Sequence, residues 1–278
     1  MIPRLTSKDN PLVRTIRLVA AQGRRAPAEL VIAEGLRVLE EATNARCPLE
    51  AVLVGEGFGG DSRSRALLEA WSRRNVPVRC AAAALMKGLS DVVAPQGALA
   101  LARVPVVPLA ALKIEPHPLI LCLCGIQDPG NLGTLLRTAR AAGVSFVCST
   151  VGTVSARNPK AIRASAGAFF RIPLVEGLDP AEFFDYCRLQ KIAMYQANAR
   201  ARRPCWTTEL IGSTAILLGN EARGLVEAEW NDIPSLSVPM VAGVESLNVA
   251  AAGAVLLYEA FRQRSVASGA ITMEARDE

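Results

Sequence analysis

Leu119 to Gly125 is an unbroken apolar run, and it gives way directly to Asp128-Pro129-Gly130-Asn131. A strand that is apolar at every position has no solvated face, so it belongs inside a parallel sheet covered on both sides. Ala215 to Gly219 repeats the pattern and runs into Asn220-Glu221, and a short strand ending at Pro239 precedes Ser246-Leu247-Asn248. Loops at strand ends are where α/β sheets bind ligands and do chemistry. Three such constellations in register along one sheet would converge on a single site.

The elements around these runs alternate in the same way. Asn10-Pro11 is a helix start, a capping side chain followed by proline at the first helical position. Leu12, Val13, Ile16 and Val19 then form one apolar stripe and leave Arg14 and Arg17 to the other side. The patterning predicts helices over 34–45 and 63–74 and strands over 51–54, 76–79 and 98–104, which together make a small α/β domain. Four prolines between Pro105 and Pro118 mark a boundary. Beyond it a second α/β series is expected: strands at 119–125, 144–148, 192–196 and 215–219, helices at 130–142, 159–168 and 180–189, and a long helix from Leu247 to about Arg262. The chain therefore reads as a first domain over 1–105, a linker over 106–117, a second domain over 118–266 and a flexible tail over 267–278.

Charge is informative only once it is divided. Residues 1–105 hold 15 Lys and Arg against 10 Asp and Glu, whereas residues 106–278 hold 16 of each. Arg4, Lys8, Arg14, Arg17, Arg24 and Arg25 face only Asp9 near the N-terminus. A basic end on an otherwise balanced protein suits a polyanionic partner. A second arginine cluster, Arg200, Arg202 and Arg203, follows the strand at 192–196. Seven cysteines without regular spacing and one histidine do not read as a disulfide framework or a zinc site. No window has the length of a membrane span and the charged N-terminus lacks a signal peptide's apolar core, so a cytoplasmic protein with neither membrane nor metal is expected.

Each constellation has a local role as well as a chemical one. Asn131 is placed to cap the helix after Gly130, and Ser246 the last helix. Arg137 lies in the first of these helices among Thr134, Thr138 and Ala141, small neighbours that leave a guanidinium room to reach a cleft. Gly219 ends its strand without a side chain, where backbone can approach a ligand. The segment lacks both the phosphate-loop and the dinucleotide glycine spacing. The helix after Asn248 is apolar on nearly every face, as a core or dimer helix is.

Together the three constellations resemble the signature motifs of the SpoU (TrmH-like) ribose 2'-O-methyltransferases of the SPOUT superfamily, in order and over roughly 119–264. The stretch containing Asn10-Pro11 and Glu34-Gly35 resembles that family's substrate-binding domain, which is similar to ribosomal protein L30e. The resemblance implies an α/β fold with a deep trefoil knot in its C-terminal domain, preceded by the small L30e-like α/β domain. It implies S-adenosylmethionine as cofactor, held at Gly219, Val238, Leu247, Ala197 and Asn198. It implies catalytic roles for Asn131, Arg137, Glu221, Ser246 and Asn248, and a homodimer joined through the knotted domain. Ala222 stands where family members often carry glycine.

The implied reaction methylates a ribose 2'-hydroxyl in structured RNA, with 23S ribosomal RNA favoured over transfer RNA by the size of the N-terminal domain. Arg14, Arg17, Arg24, Arg25, Arg200, Arg202 and Arg203 are the candidate RNA contacts. A guanidinium is a poor base because it stays charged. The role expected of Arg137 is therefore to fix a phosphate beside the target ribose and stabilise developing alkoxide charge. A non-catalytic RNA-binding protein, a base-directed methyltransferase and a small-molecule enzyme on an ordinary doubly wound sheet are the competing readings.

Overall fold

The computed structural model describes residues 2–22, 26–89, 97–220, 230 and 232–269. The chain divides into two units, Met1–Val107 with Ser155–Arg171, and Pro108–Val154 with Ile172–Glu278. The first unit opens with β1 (Arg4–Leu5), α1 (Pro11–Ala20), β2 (Leu30–Glu34), α2 (Leu36–Asn44) and β3 (Leu49–Val54). It continues with α3 (Ser62–Arg73), β4 (Val78–Ala81), α4 (Ala83–Lys87) and β5 (Ala98–Arg103). Among the described residues its sheet has five strands in the order β1-β4-β3-β5-β2, with β5 antiparallel to both neighbours.

α1 starts as its sequence dictates. Asn10 Oδ1 accepts from the Leu12 N–H at 3.0 Å, Val13, Ile16 and Val19 are buried, and Arg14 is left exposed. Glu34, expected to begin a helix, instead closes β2 as a buried residue, and Gly35 is the N-cap of α2. β2 itself is absent from the patterning above. Its Leu-Val-Ile-Ala-Glu run is buried at every position and has no alternation to separate it from the helix that follows.

The second unit begins with β6 (Leu119–Leu123), α5 (Pro129–Ala141) and β7 (Phe146–Thr150). The next helix, α6 (Pro159–Ala164), returns to the first unit, so the linear division at 105 and 118 misses one segment. There Arg163 Nη1 donates to Glu34 Oε2 at 2.9 Å, Arg171 Nε donates to Glu41 Oε2 at 3.0 Å, and Arg157 donates to the carbonyls of Val104 and Pro105. The chain then adds β8 (Leu174–Leu178), α7 (Pro180–Leu189), β9 (Ala193–Ala197), β10 (Thr214–Leu218), β11 (Ser235–Leu236) and α8 (Val249–Ala267). α8 runs on to Ala267, beyond the end expected at about Arg262.

Among the described residues the second sheet has six strands, all parallel, in the order β11-β9-β10-β6-β7-β8. β6 and β10 are buried at every position and lie side by side, as the apolar runs Leu119–Leu123 and Ala215–Leu218 require. Cys122 and Cys124 belong to this core with their sulfurs 3.7 Å apart, and burial pushes the Cys122 thiol well above its ordinary range. Among the described residues no His, Cys, Asp or Glu cluster could hold a metal ion, and no helix is long and apolar enough to cross a membrane.

α8 lies against α5 and β10, and one glycine permits the approach. A Cβ on Gly253 would stand 2.5 Å from Leu135 Cδ2 and 2.7 Å from Leu218 Cδ1, both on fully buried side chains. Gly253→Val is expected to destabilise the protein by about 1–3 kcal/mol, the usual range for overpacking a filled core. A lowered urea midpoint reads this out. An unchanged midpoint would mean that α8 can move away without loss.

Candidate active site

The chain runs from β6 through β7 to β8 on one side of the second sheet and places β9, β10 and β11 on the other. The divergence falls between β6 and β10, and in open parallel sheets ligands sit outside the carboxyl ends of strands at such a point. Gly125 follows β6 with φ +70°, a left-handed turn that suits glycine. Its carbonyl accepts from Asn220 Nδ2 at 2.8 Å, and its N–H donates to Thr153 Oγ1 at 2.9 Å. The ends of β6 and β10 are thereby tied together, bringing the first two constellations side by side.

The third constellation joins them through one hydrogen bond. Asn248 Nδ2 donates to Asn131 Oδ1 at 3.0 Å across 117 residues of chain. Asn248 also caps α8, its Oδ1 accepting from the N–H groups of Ala250 and Ala251. Asp128, not Asn131, caps α5, with Oδ1 accepting from the Asn131 N–H at 2.7 Å. Both capping expectations are corrected here. The caps fall on Asp128 and Asn248, so the Asn131 side chain reaches across to α8 and the Ser246 side chain is not needed for the helix.

A cleft of about 770 Å³ opens at the carboxyl ends of β9, β10 and β11 and is closed by the start of α8. Ala197, Asn198, Gly219, Val238 and Leu247 all line it, as do Ser246 and Asn248. Its lower wall is apolar, with Leu218, Leu236 and Leu256, and polar groups stand at Gln196, Asn220, Glu245 and Arg200. The walls are held by backbone. Asn198 N–H donates to the Leu236 carbonyl at 2.9 Å and Gln196 N–H to the Pro234 carbonyl at 3.0 Å, while Gln196 Nε2 reaches the carbonyls of Trp230 and Ile233. An apolar slot edged by strand-end backbone and amide side chains fits an adenine nucleoside, and Glu245 is an acid available to an amino group or a sulfonium.

Arg137 is exposed on α5 and stands outside the cleft lining. Arg14, Arg200, Arg202 and Arg203 are exposed and Arg17 is half-buried; of these only Arg200 lines the cleft, and Arg14 is paired with Asp9 at 3.3 Å. Glu221, Arg24 and Arg25 lie outside the described residues. Sequence reasoning passed over Gln196, Asp128, Glu245 and the side chain of Asn220. Asp128 was legible as an acid just before a proline at helix position N1. The others carry no local signal, because their roles depend on the neighbouring strand.

A parallel α/β sheet with a cleft outside the carboxyl ends of its strands makes the second unit a ligand-binding α/β domain of the open-sheet class. The profile of the SpoU rRNA Methylase family matches residues 118–258, and that of the MRM3-like substrate binding domain matches residues 10–100. The chain belongs to the SpoU family of RNA methyltransferases. It is 28% identical to the 23S rRNA (guanosine(2553)-2'-O)-methyltransferase RlmP of Bacillus subtilis, over 92% of this chain and 98% of that one. Among solved structures it is similar to an RNA 2'-O ribose methyltransferase, with a TM-score of 0.79 and 33% identity over 94% of this chain and 99% of that one. It also shares the fold of an AdoMet-bound rRNA methyltransferase from Sinorhizobium meliloti, with a TM-score of 0.82 and 23% identity over 94% of this chain and 98% of that one.

Proposed function

We propose that this protein transfers the methyl group of S-adenosylmethionine to a ribose 2'-hydroxyl of ribosomal RNA, with the cofactor in the cleft between β9, β10, β11 and α8. The observation that carries the reading is that Gly219, Val238, Leu247, Ala197 and Asn198 share one cleft, against whose rim Asn248 meets Asn131. The cofactor supplies an electrophilic methyl on a sulfonium. The protein's part is to hold the attacking oxygen in line with that methyl and to ease departure of its proton.

In this reading Asn131, Ser246 and Asn248 position the ribose, and Glu221 keeps the catalytic role that the family resemblance implies. Arg137 binds the phosphate beside the target nucleotide and stabilises charge developing on the 2'-oxygen. Arg200 stands at the cleft itself and offers a second phosphate contact. The basic residues of the first unit, Arg14 and Arg17 among them, add contacts to the RNA backbone.

The same reading takes the first unit as an L30e-like substrate-binding domain and the second as a knotted SPOUT domain. It pairs two copies through α8, where Val255, Tyr258 and Phe261 stand exposed on a helix whose other face is buried. Mapping ribose methylation across total RNA from cells with and without the gene tests the function. Loss of a 2'-O-methyl group at a ribosomal position is expected. Loss at a transfer RNA position would move the substrate, and an unchanged map would overturn the reading in favour of a non-catalytic RNA-binding protein.

A further inference from the structure

Trp206 is 56% exposed, whereas the chain's two other tryptophans, Trp71 and Trp230, are 0% and 1% exposed. A singly exposed apolar side chain is common on a protein surface, so the exposure of this indole counts only together with what surrounds it. The turn that carries it, Cys205–Thr207, is well fixed. Cys205 is buried and its N–H donates to the Ser237 carbonyl at 2.9 Å, and Thr207 Oγ1 donates to the Pro204 carbonyl at 2.9 Å. Gln263 of α8 locks the next residues, donating to the Thr208 carbonyl and accepting from the Leu210 N–H.

The platform is continuous with the cleft. Residues 197–200 line the cleft at one end of this segment, and Ser237, bonded to Arg203 and Cys205, follows Leu236 of the cleft wall. Arg200 lines the cleft itself, and along the chain from there to the indole come two more exposed arginines, Arg202 and Arg203. A rigid exposed aromatic beside a row of guanidinium groups is the arrangement that holds single-stranded nucleic acid, by base stacking on the ring and phosphate contacts along the strand. We infer that Trp206 stacks on an unpaired base of the RNA strand that enters the site, with Arg202 and Arg203 on its backbone. The inference rests on the RNA-directed reading above and deepens it, because proteins that recognise RNA by sequence take unpaired bases and stack them on aromatic side chains.

The test is titration of a dye-labelled short oligoadenylate with the full-length protein at several salt concentrations, with affinity read from the anisotropy of the dye and tryptophan fluorescence followed alongside in the wild type. The tryptophan signal reports Trp206 because the other two indoles are enclosed. Saturable quenching is expected in the wild type. Trp206→Ala should weaken binding at least about 5-fold, in the range of one base stacked on one ring, while Trp206→Tyr retains most of the affinity. Neither variant should change the slope of log K against log salt, because no phosphate contact is removed. Wild-type affinity in Trp206→Ala, or absence of binding to the wild type, overturns the inference. So does a change from dimer to monomer in Trp206→Ala by light scattering, which would make the indole a subunit contact. A quenched wild type with an unchanged methylation map would leave the platform standing and remove the methyl-transfer reading; an altered map with a fully active, tightly binding Trp206→Ala would do the reverse.

Discussion

Arg137→Ala is expected to lower the rate of methyl transfer at saturating RNA by about 10²–10³-fold, the loss typical of removing one preorganised donor from a developing oxyanion. Cofactor binding should be unaffected, because Arg137 stands outside the lining of the cleft. That contrast is the informative part: a residue acting on the RNA side of the reaction lowers the rate without touching cofactor affinity. Arg137→Lys keeps the charge but loses the planar fork that binds a phosphate through two parallel hydrogen bonds. It should therefore recover only a small part of the rate in a single-turnover assay with a substrate RNA. Near-complete recovery with lysine would show that charge alone suffices and that the bidentate argument is wrong.

Asn248 separates stability from positioning. It caps the 19-residue helix α8 through Oδ1 and meets Asn131 through Nδ2. Asn248→Ala removes both and should destabilise the protein by about 1 kcal/mol while lowering the rate. Asn248→Ser keeps a good cap but is too short to reach Asn131. Its stability should stay close to wild type while the rate falls by about 10²-fold, as expected when a positioning contact is released. A serine variant with full activity would reduce Asn248 to a helix cap.

Much of the lining of the candidate cleft was legible in the sequence, and for a definite reason. Residues 119–123 and 215–218 are apolar at every position, which demands burial on both faces and so a parallel sheet, and the polar residues that end them had to lie at its carboxyl edge. The five cleft positions Ala197, Asn198, Gly219, Val238 and Leu247 came from resemblance to a family and share one cleft in the structure. The caps were misassigned by two or three residues. Asp128 and Asn131, like Ser246 and Asn248, are all competent capping side chains, and the choice depends on where the backbone turns into the helix.

The segment Ser155–Arg171 was misplaced because nothing local marks it. Its membership of the first unit rests on Arg163 with Glu34 and Arg171 with Glu41, contacts across roughly 130 residues of chain. Residue type alone determined that this chain has buried parallel strands, polar strand ends and a basic N-terminal region, since hydropathy and charge are properties of each side chain wherever it sits. Only the tertiary structure decided that Asn248 meets Asn131, that Asn220 holds Gly125, and that one of three tryptophans faces water beside the arginines. Those facts follow from strand order and helix placement, which are set by contacts between distant residues that no local pattern encodes.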